Sequence, residues 1–146
     1  QALLDAGADQ IIVTDEENLP ERVMTLTGGK GANIVFDPVA GPMLTSLAQA
    51  TAQGGTIFVY GALAPQPTPY PLMEALGKGL SIQGYTLFEI TGEPARMAQA
   101  KQFVYEGLAA GDLNPIVAKT FSLGDIVEAH LFMESNQQIG KIIVLT

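Results

Sequence analysis

The chain has no cysteine and no tryptophan, a single histidine, and charged side chains at only 15% of its 146 positions. The missing cysteine excludes a disulfide framework and any thiolate metal site within these residues, and fits a reducing cytoplasm by default. The one histidine, His130, has no neighbouring His, Cys or clustered acid with which to build a metal centre. No apolar run reaches the roughly 18 residues needed to span a bilayer, and the first residues lack the basic and apolar regions of a signal peptide. Basic residues are also scarce, 7 against 15 acidic, for a net charge of -8. A nucleic-acid backbone or an anionic membrane would repel such a surface, so a small molecule or another protein is the expected partner. Several chemistry-bearing motifs are missing too: Gly-x-Gly-x-x-Gly, a Walker-type phosphate loop, His-Glu-x-x-His and Gly-x-Ser-x-Gly. The first residue is Gln1 rather than Met, which suits either a piece of a longer protein or a chain trimmed by processing or tag removal.

What the chain does contain is apolar material, 47% of residues, enough for one sizeable core. Four short β-branched runs read as strands: Gln10 to Thr14, Asn33 to Asp37, Thr56 to Tyr60 and Leu80 to Tyr85. Ile11, Ile34, Ile57 and Ile82 mark them, 23, 23 and 25 residues apart. That spacing accommodates a strand, a short helix and two tight turns, the make-up of a βαβ array. Between the first two runs, Asn18 can cap a helix, Pro20 fits its first turn, Leu19, Val23 and Leu26 share a face, and Gly28 can close it. Between the next two, Gly41 and Pro42 open a segment striped by Leu44, Leu47 and Ala48 and ended by Gly54 and Gly55. The near-continuous apolar character of the strands suits a parallel sheet with helices on both faces.

The third connection differs. Residues 62 to 78 carry Pro65, Pro67, Pro69 and Pro71, which favour an extended course before a short helix around Met73 to Leu76. Such a loop is a binding loop or a rigid surface crossing. A longer helix follows from about Pro94 to Ala110, with Met97, Ala100, Val104 and Leu108 on one side. The tail comprises a strand near Val117 to Phe121, a helix opened by the capping pattern Ser122 to Asp125, and a final strand Lys141 to Leu145. The change of domain is expected near Asn114 and Pro115.

Candidate site residues follow from this arrangement. Gly28, Gly29 and Gly31 precede a strand, whereas phosphate-cradling loops follow one, so they read as a helix C-terminal turn. Asp15 and Asp37 sit at the carboxyl ends of strands, where open α/β sheets bind ligands; each is either a turn or capping acid or a ribose-binding carboxylate. His130, on the apolar side of its helix, reads as a packed structural histidine. Tyr60, Tyr85 and Tyr105 are possible proton donors, but only Tyr60 lies where a sheet meets a loop, and a buried core role suits it equally. The glycine-bearing strand ends Val39-Ala40-Gly41 and Gly61-Ala62-Leu63 let a flat ring or a sugar approach backbone amides and carbonyls.

The ordered set Thr27-Gly-Gly-Lys-Gly-Ala-Asn-Ile-Val-Phe-Asp37, Val39-Ala40-Gly41, Gly54-Gly-Thr-Ile-Phe-Val-Tyr-Gly61 and Gly140-Lys-Ile-Ile-Val-Leu145 resembles the medium-chain dehydrogenase/reductase superfamily, especially its zinc-independent quinone oxidoreductase-like branch. The resemblance implies an α/β fold: a partial Rossmann-type parallel sheet lacking its first two strands, over residues 1–114, with a C-terminal αβ tail, 115–146, that returns to a catalytic domain outside this chain. It implies that Val39, Ala40, Gly41, Gly61, Ala62 and Leu63 line the nicotinamide and its ribose, that Leu87 and Phe88 lie near the carboxamide, and that Asn136 reaches the cofactor. The cofactor it implies is NADPH or NADH, with NADP favoured and no metal within this chain. The chemistry is hydride transfer to a quinone, enone or related carbonyl, in a homodimer paired through the strand at 80–85. The catalytic residues, the pyrophosphate turn and any zinc ligands would lie before Gln1, leaving the fragment alone inactive. A zinc-containing alcohol dehydrogenase and a non-catalytic nucleotide-binding homologue are the open alternatives. In the order 3-2-1-4-5-6, strands 1 and 2 separate 3 from 4, so the first strand here must find another partner.

Overall fold

The computed structural model describes all residues, Gln1–Thr146. Close packing divides it into two units, residues 7–93 and residues 1–6 with 94–146. The helix at 94–110 thus groups with the tail, whereas the sequence places the change of domain near Asn114 and Pro115.

The second unit opens with α1 (Ala2–Asp5). The first unit then begins, and its residues 10–14, expected as a strand, have no ladder partner. A strand is stable only against a hydrogen-bonded neighbour. Here the Val13 amide bonds instead to the Glu17 carboxylate at 3.0 Å, and the Glu16 and Glu17 amides turn back onto the Val13 carbonyl. Helix α2 (Leu19–Leu26) starts as its composition dictates: the Asn18 side chain accepts the Glu21 amide at 3.1 Å, with proline in the first turn. Gly28 and Gly29 close it in left-handed conformations, as expected.

Strand β1 (Ala32–Asp37), helix α3 (Met43–Ala50), strand β2 (Thr51–Val59), helix α4 (Leu72–Lys78), strand β3 (Ser81–Gly84) and helix α5 (Phe88–Thr91) follow. The strands form a parallel sheet in the order β1-β2-β3, with Asp37, Val59 and Gly84 reaching the same carboxyl edge. Strand β2 starts earlier than the apolar run predicts, directly at the end of α3. There the Thr51 hydroxyl donates to the Leu47 carbonyl at 2.7 Å, and the register slips between Ala32↔Thr51 and Ile34↔Thr56. Gly54 and Gly55 therefore sit in a bulge, not at a helix end.

Within its own unit, one face of this sheet is covered by helices. Leu44 and Ala48 of α3 pack on Ile57, flanked by Val35, Leu47, Val59, Leu80 and Ile82. On the opposite face Phe36 stacks on Phe58 at 5.4 Å between centroids, and Phe36 remains 68% exposed. Inside this unit the connecting helices α3 and α4 lie on one face for a topological reason. Strands added in one direction by right-handed crossovers put every connecting helix on the same side. Lys78, at the end of α4, reaches back to the carbonyls of Ala48, Gln49 and Thr51 at 3.1, 2.6 and 2.9 Å and terminates α3 with its charge.

In the second unit, α6 (Pro94–Ala110) exposes Phe103, Tyr105 and Leu108 and buries no residue. Strand β4 (Val117–Ser122), a 3-10 turn at Leu123–Asp125, helix α7 (Ile126–Glu134) and strand β5 (Lys141–Leu145) complete it. β4 and β5 pair in parallel, and α7 crosses between them. The capping box expected at Ser122 to Asp125 does not form: neither side chain accepts a helix amide, and the Ser122 hydroxyl donates instead to the Asp125 carboxylate at 2.7 Å. Phe121 and Ala129 are buried, with Phe121 against Phe132 and the Lys119 ammonium 4.5 Å from the Phe121 ring. His130 is not packed as expected. It is exposed, lining a shallow groove with Ile126, Met133, Ile142 and Val144, because α7 spends its buried side, through Ala129, on its own sheet pair.

Candidate functional site

The carboxyl edge of the three-stranded sheet is where the chain concentrates unusual backbone. Asp37 ends β1 on the covered face and is 2% exposed. One of its carboxylate oxygens accepts the Val39 and Ala40 amides, each at 2.9 Å; the other is buried without a protein partner. Of the two roles open to Asp37 from sequence, the turn cap is the one its hydrogen bonds perform. The two bonds hold Ala40 at φ 58° with Gly41 next at φ 64°. A left-handed alanine costs about 1–2 kcal/mol, so a neighbouring interaction must offset it.

This turn is laced to the segment leaving β2. The Tyr60 amide donates to the Asp37 carbonyl at 3.0 Å, Leu63 to Pro38 at 3.4 Å, and Ala64 to Val39 at 2.9 Å. Gly61 is required by that approach, since a Cβ there would strike the Pro38 carbonyl oxygen. Gly41 is required twice: its φ is positive, and a Cβ would lie 2.5 Å from the Ala64 Cβ. Its buried amide donates to the Thr68 hydroxyl at 2.9 Å. Two stretches far apart in sequence, 38–41 and 60–68, thus form one unit at the ends of β1 and β2.

Val39-Ala40-Gly41 and Gly61-Ala62-Leu63, singled out as separate strand ends, are brought together. Leu63 points its side chain largely into solvent at 77% exposure, beside the half-exposed Val39 and Tyr60. Leu87 and Phe88 follow β3 at the same edge, where the Tyr85 amide extends the ladder to the Val59 carbonyl at 3.0 Å. Phe88 is 80% exposed at the start of α5. Asn136 belongs to the other unit, in a left-handed turn (φ 54°) between α7 and β5. Asp15 is exposed in a turn, and Tyr60, Tyr85 and Tyr105 are all exposed, so none of the tyrosines is the buried core residue that suited Tyr60 from sequence. Beside the site turn, a cleft of about 390 Å³ runs between the starts of α2 and α3, lined by Thr14, Glu17, Asn18, Pro42, Met43 and Ser46. Thr68 was missed by sequence reasoning. It stands 27 positions from its partner in a proline-rich stretch, and no local pattern marks it.

Chemically, this edge offers an apolar rim, small residues and backbone polar groups. It fits a flat ring and a ribose better than it fits a charged group or an ion. No group of three or more His, Cys, Asp or Glu side chains is arranged to hold a metal ion.

The comparisons with known proteins decide the family. Residues 6–144 match the model of a zinc-binding dehydrogenase family. The chain belongs to it. Among its relatives, a 2-haloacrylate reductase of Burkholderia sp is 28% identical over 141 residues, covering 95% of this chain and 42% of the relative. The quinone oxidoreductase of Lama guanicoe is 24% identical over 147 residues, covering 99% and 43%. A solved NAD-dependent alcohol dehydrogenase superposes with a TM-score of 0.80 at 27% identity, over 96% of this chain and 38% of that one. The chain thus spans less than half the length of these relatives. The mixed α/β architecture with parallel sheets is that of the Rossmann-like part of the family.

Proposed function

We propose that the chain is the C-terminal, cofactor-facing part of an NAD(P)H-dependent oxidoreductase that reduces an activated carbonyl compound such as a quinone or an enone. The observation that carries this is the joining of Val39–Gly41 to Gly61–Leu63 at the carboxyl edge of a parallel sheet, where such sheets bind ligands. The bound nicotinamide would supply the hydride. The chain's own residues bind and orient: the small residues of the two turns admit the ribose and ring to the backbone, Asp37 keeps the first turn in shape, and Leu63, Leu87 and Phe88 exclude water from the ring. Asn136 would close on the cofactor from the return segment, residues 115–146, while residues 1–114 supply part of the dinucleotide-binding domain. Membership of the family and the names of the two reductase relatives support this reading. NADP is the favoured nucleotide, and the cytoplasm the favoured location; no helix is long and apolar enough to cross a membrane. The free outer edge of β3, residues 81–84, would pair with its copy in a homodimer.

An alcohol dehydrogenase is the second reading, favoured by the 27% identical solved relative. Titration of the intact protein with NADPH and NADH, followed by turnover on a quinone, an enone and a primary alcohol, separates the two. Micromolar NADPH binding with quinone or enone reduction is expected. Alcohol oxidation alone would install the second reading, and binding of neither nucleotide would overturn both. The 146 residues by themselves are expected to show no turnover.

A further inference from the structure

We propose that Thr68 is a positioning residue for the cofactor turn, its hydroxyl oxygen fixing the orientation of the Ala40–Gly41 peptide. The proposal rests on the reading that Val39–Gly41 receives the nicotinamide ribose. Asp37 binds the amides of Val39 and Ala40 but leaves the next one, Gly41, to another acceptor. That amide is buried, and the acceptor it finds is the Thr68 hydroxyl at 2.9 Å. Ala40 and Gly41 are consecutive left-handed residues, and a peptide next to glycine flips easily unless one of its polar ends is held. A flip would exchange the sides on which the Ala40 carbonyl and the Gly41 amide lie, and so change which group faces a ligand.

The proline-rich stretch explains why a hydroxyl in a loop can do this. Pro67 and Pro69 flank Thr68, and each proline fixes its own φ while the residue before it is confined to extended backbone. The Ala64 amide anchors the stretch to the Val39 carbonyl at 2.9 Å, and the Ala64 methyl seats where a Gly41 Cβ would be. The segment is a stiff strap with one side-chain polar contact directed at the turn. Its four prolines have a role in positioning, since they reduce the entropy lost in holding Thr68 in place.

The test uses the intact protein with Thr68→Val, which removes the acceptor at nearly constant volume, and Thr68→Ser, which restores it. Kd for NADPH and NADH, melting temperature without ligand, and Gly41 amide exchange are measured on each. Thr68→Val is expected to weaken nucleotide binding by roughly tenfold. KM for the nucleotide should rise with kcat nearly unchanged, Gly41 should exchange faster, and the unliganded melting temperature should fall by about 2–6 °C as the buried amide loses its acceptor, a loss that Thr68→Ser restores. Thr68→Ser should bind within about twofold of wild type. Equal binding by wild type and Thr68→Val overturns the proposal alone, as does a loss that tracks melting temperature and is not restored by serine. A wild type that binds neither nucleotide overturns the functional reading, and the proposal with it.

Discussion

Lys78→Met should destabilise the first unit far more than loss of a half-exposed lysine ordinarily does. Methionine retains most of the aliphatic stem and deletes only the ammonium. That ammonium donates to the carbonyls of Ala48, Gln49 and Thr51 at 3.1, 2.6 and 2.9 Å. Hydrogen bonds from a charged donor contribute about 1.5–3 kcal/mol each, and a cation at a helix C-terminus adds about 0.3–1 kcal/mol. The sum must be discounted, because Lys78 is partly in water and the Gln49 carbonyl is exposed enough to be rehydrated. The other two carbonyls belong to residues that are 0% exposed, so water cannot replace the lost donor there. A net loss of about 2–3 kcal/mol remains, which lowers the melting temperature by roughly 5–10 °C in a chain of this size. Urea denaturation of wild type and Lys78→Met, with Lys78→Arg as a control, measures it. Arginine should recover part of the loss, since its planar fork cannot converge on three carbonyls as an ammonium does. A Lys78→Met stability within about 0.5 kcal/mol of wild type would refute the assignment of these bonds as the terminus of α3.

Two further substitutions probe the site turn from opposite directions. Ala40→Gly should stabilise the chain by up to about 1 kcal/mol, because glycine adopts φ 58° without the steric cost alanine bears; a lower urea midpoint would count against the strained geometry. Gly61→Ala should destabilise by about 2 kcal/mol or more and abolish nucleotide binding by the intact protein, since the new methyl must displace the Pro38 carbonyl and part the two turns. Binding unchanged in Gly61→Ala would mean that the joined turns are not the ligand surface.

Much of this was legible in the sequence, and for local reasons. Asn18 before Leu19-Pro20 and the Gly28-Gly29 pair specify helix ends through groups a few positions apart, and both formed as expected. The runs around Ile34, Ile57 and Ile82 became β1, β2 and β3 because each is apolar and each found a parallel neighbour to complete its hydrogen bonds. The run around Ile11 has the same composition and did not become a strand, because strand formation needs a neighbour as well as a propensity. His130 was misjudged for a related reason: the periodicity showed an apolar side to its helix but could not show that only Ala129 would be buried there.

Apart from the run around Ile11 and the short helices α1 and α5, the kinds of element, their order, the parallel α/β class and the two glycine-bearing turns follow from local sequence, because they rest on short-range sterics and hydrogen bonding. Tertiary structure alone decided that those turns meet, that Asp37 caps one of them, that Lys78 closes a helix 27 to 30 residues away, and that Thr68 reaches Gly41. The physical reason is range. A cap or a turn is specified by neighbours along the chain, whereas the partner of a buried amide or carbonyl is whichever group the packed sheet happens to carry to it.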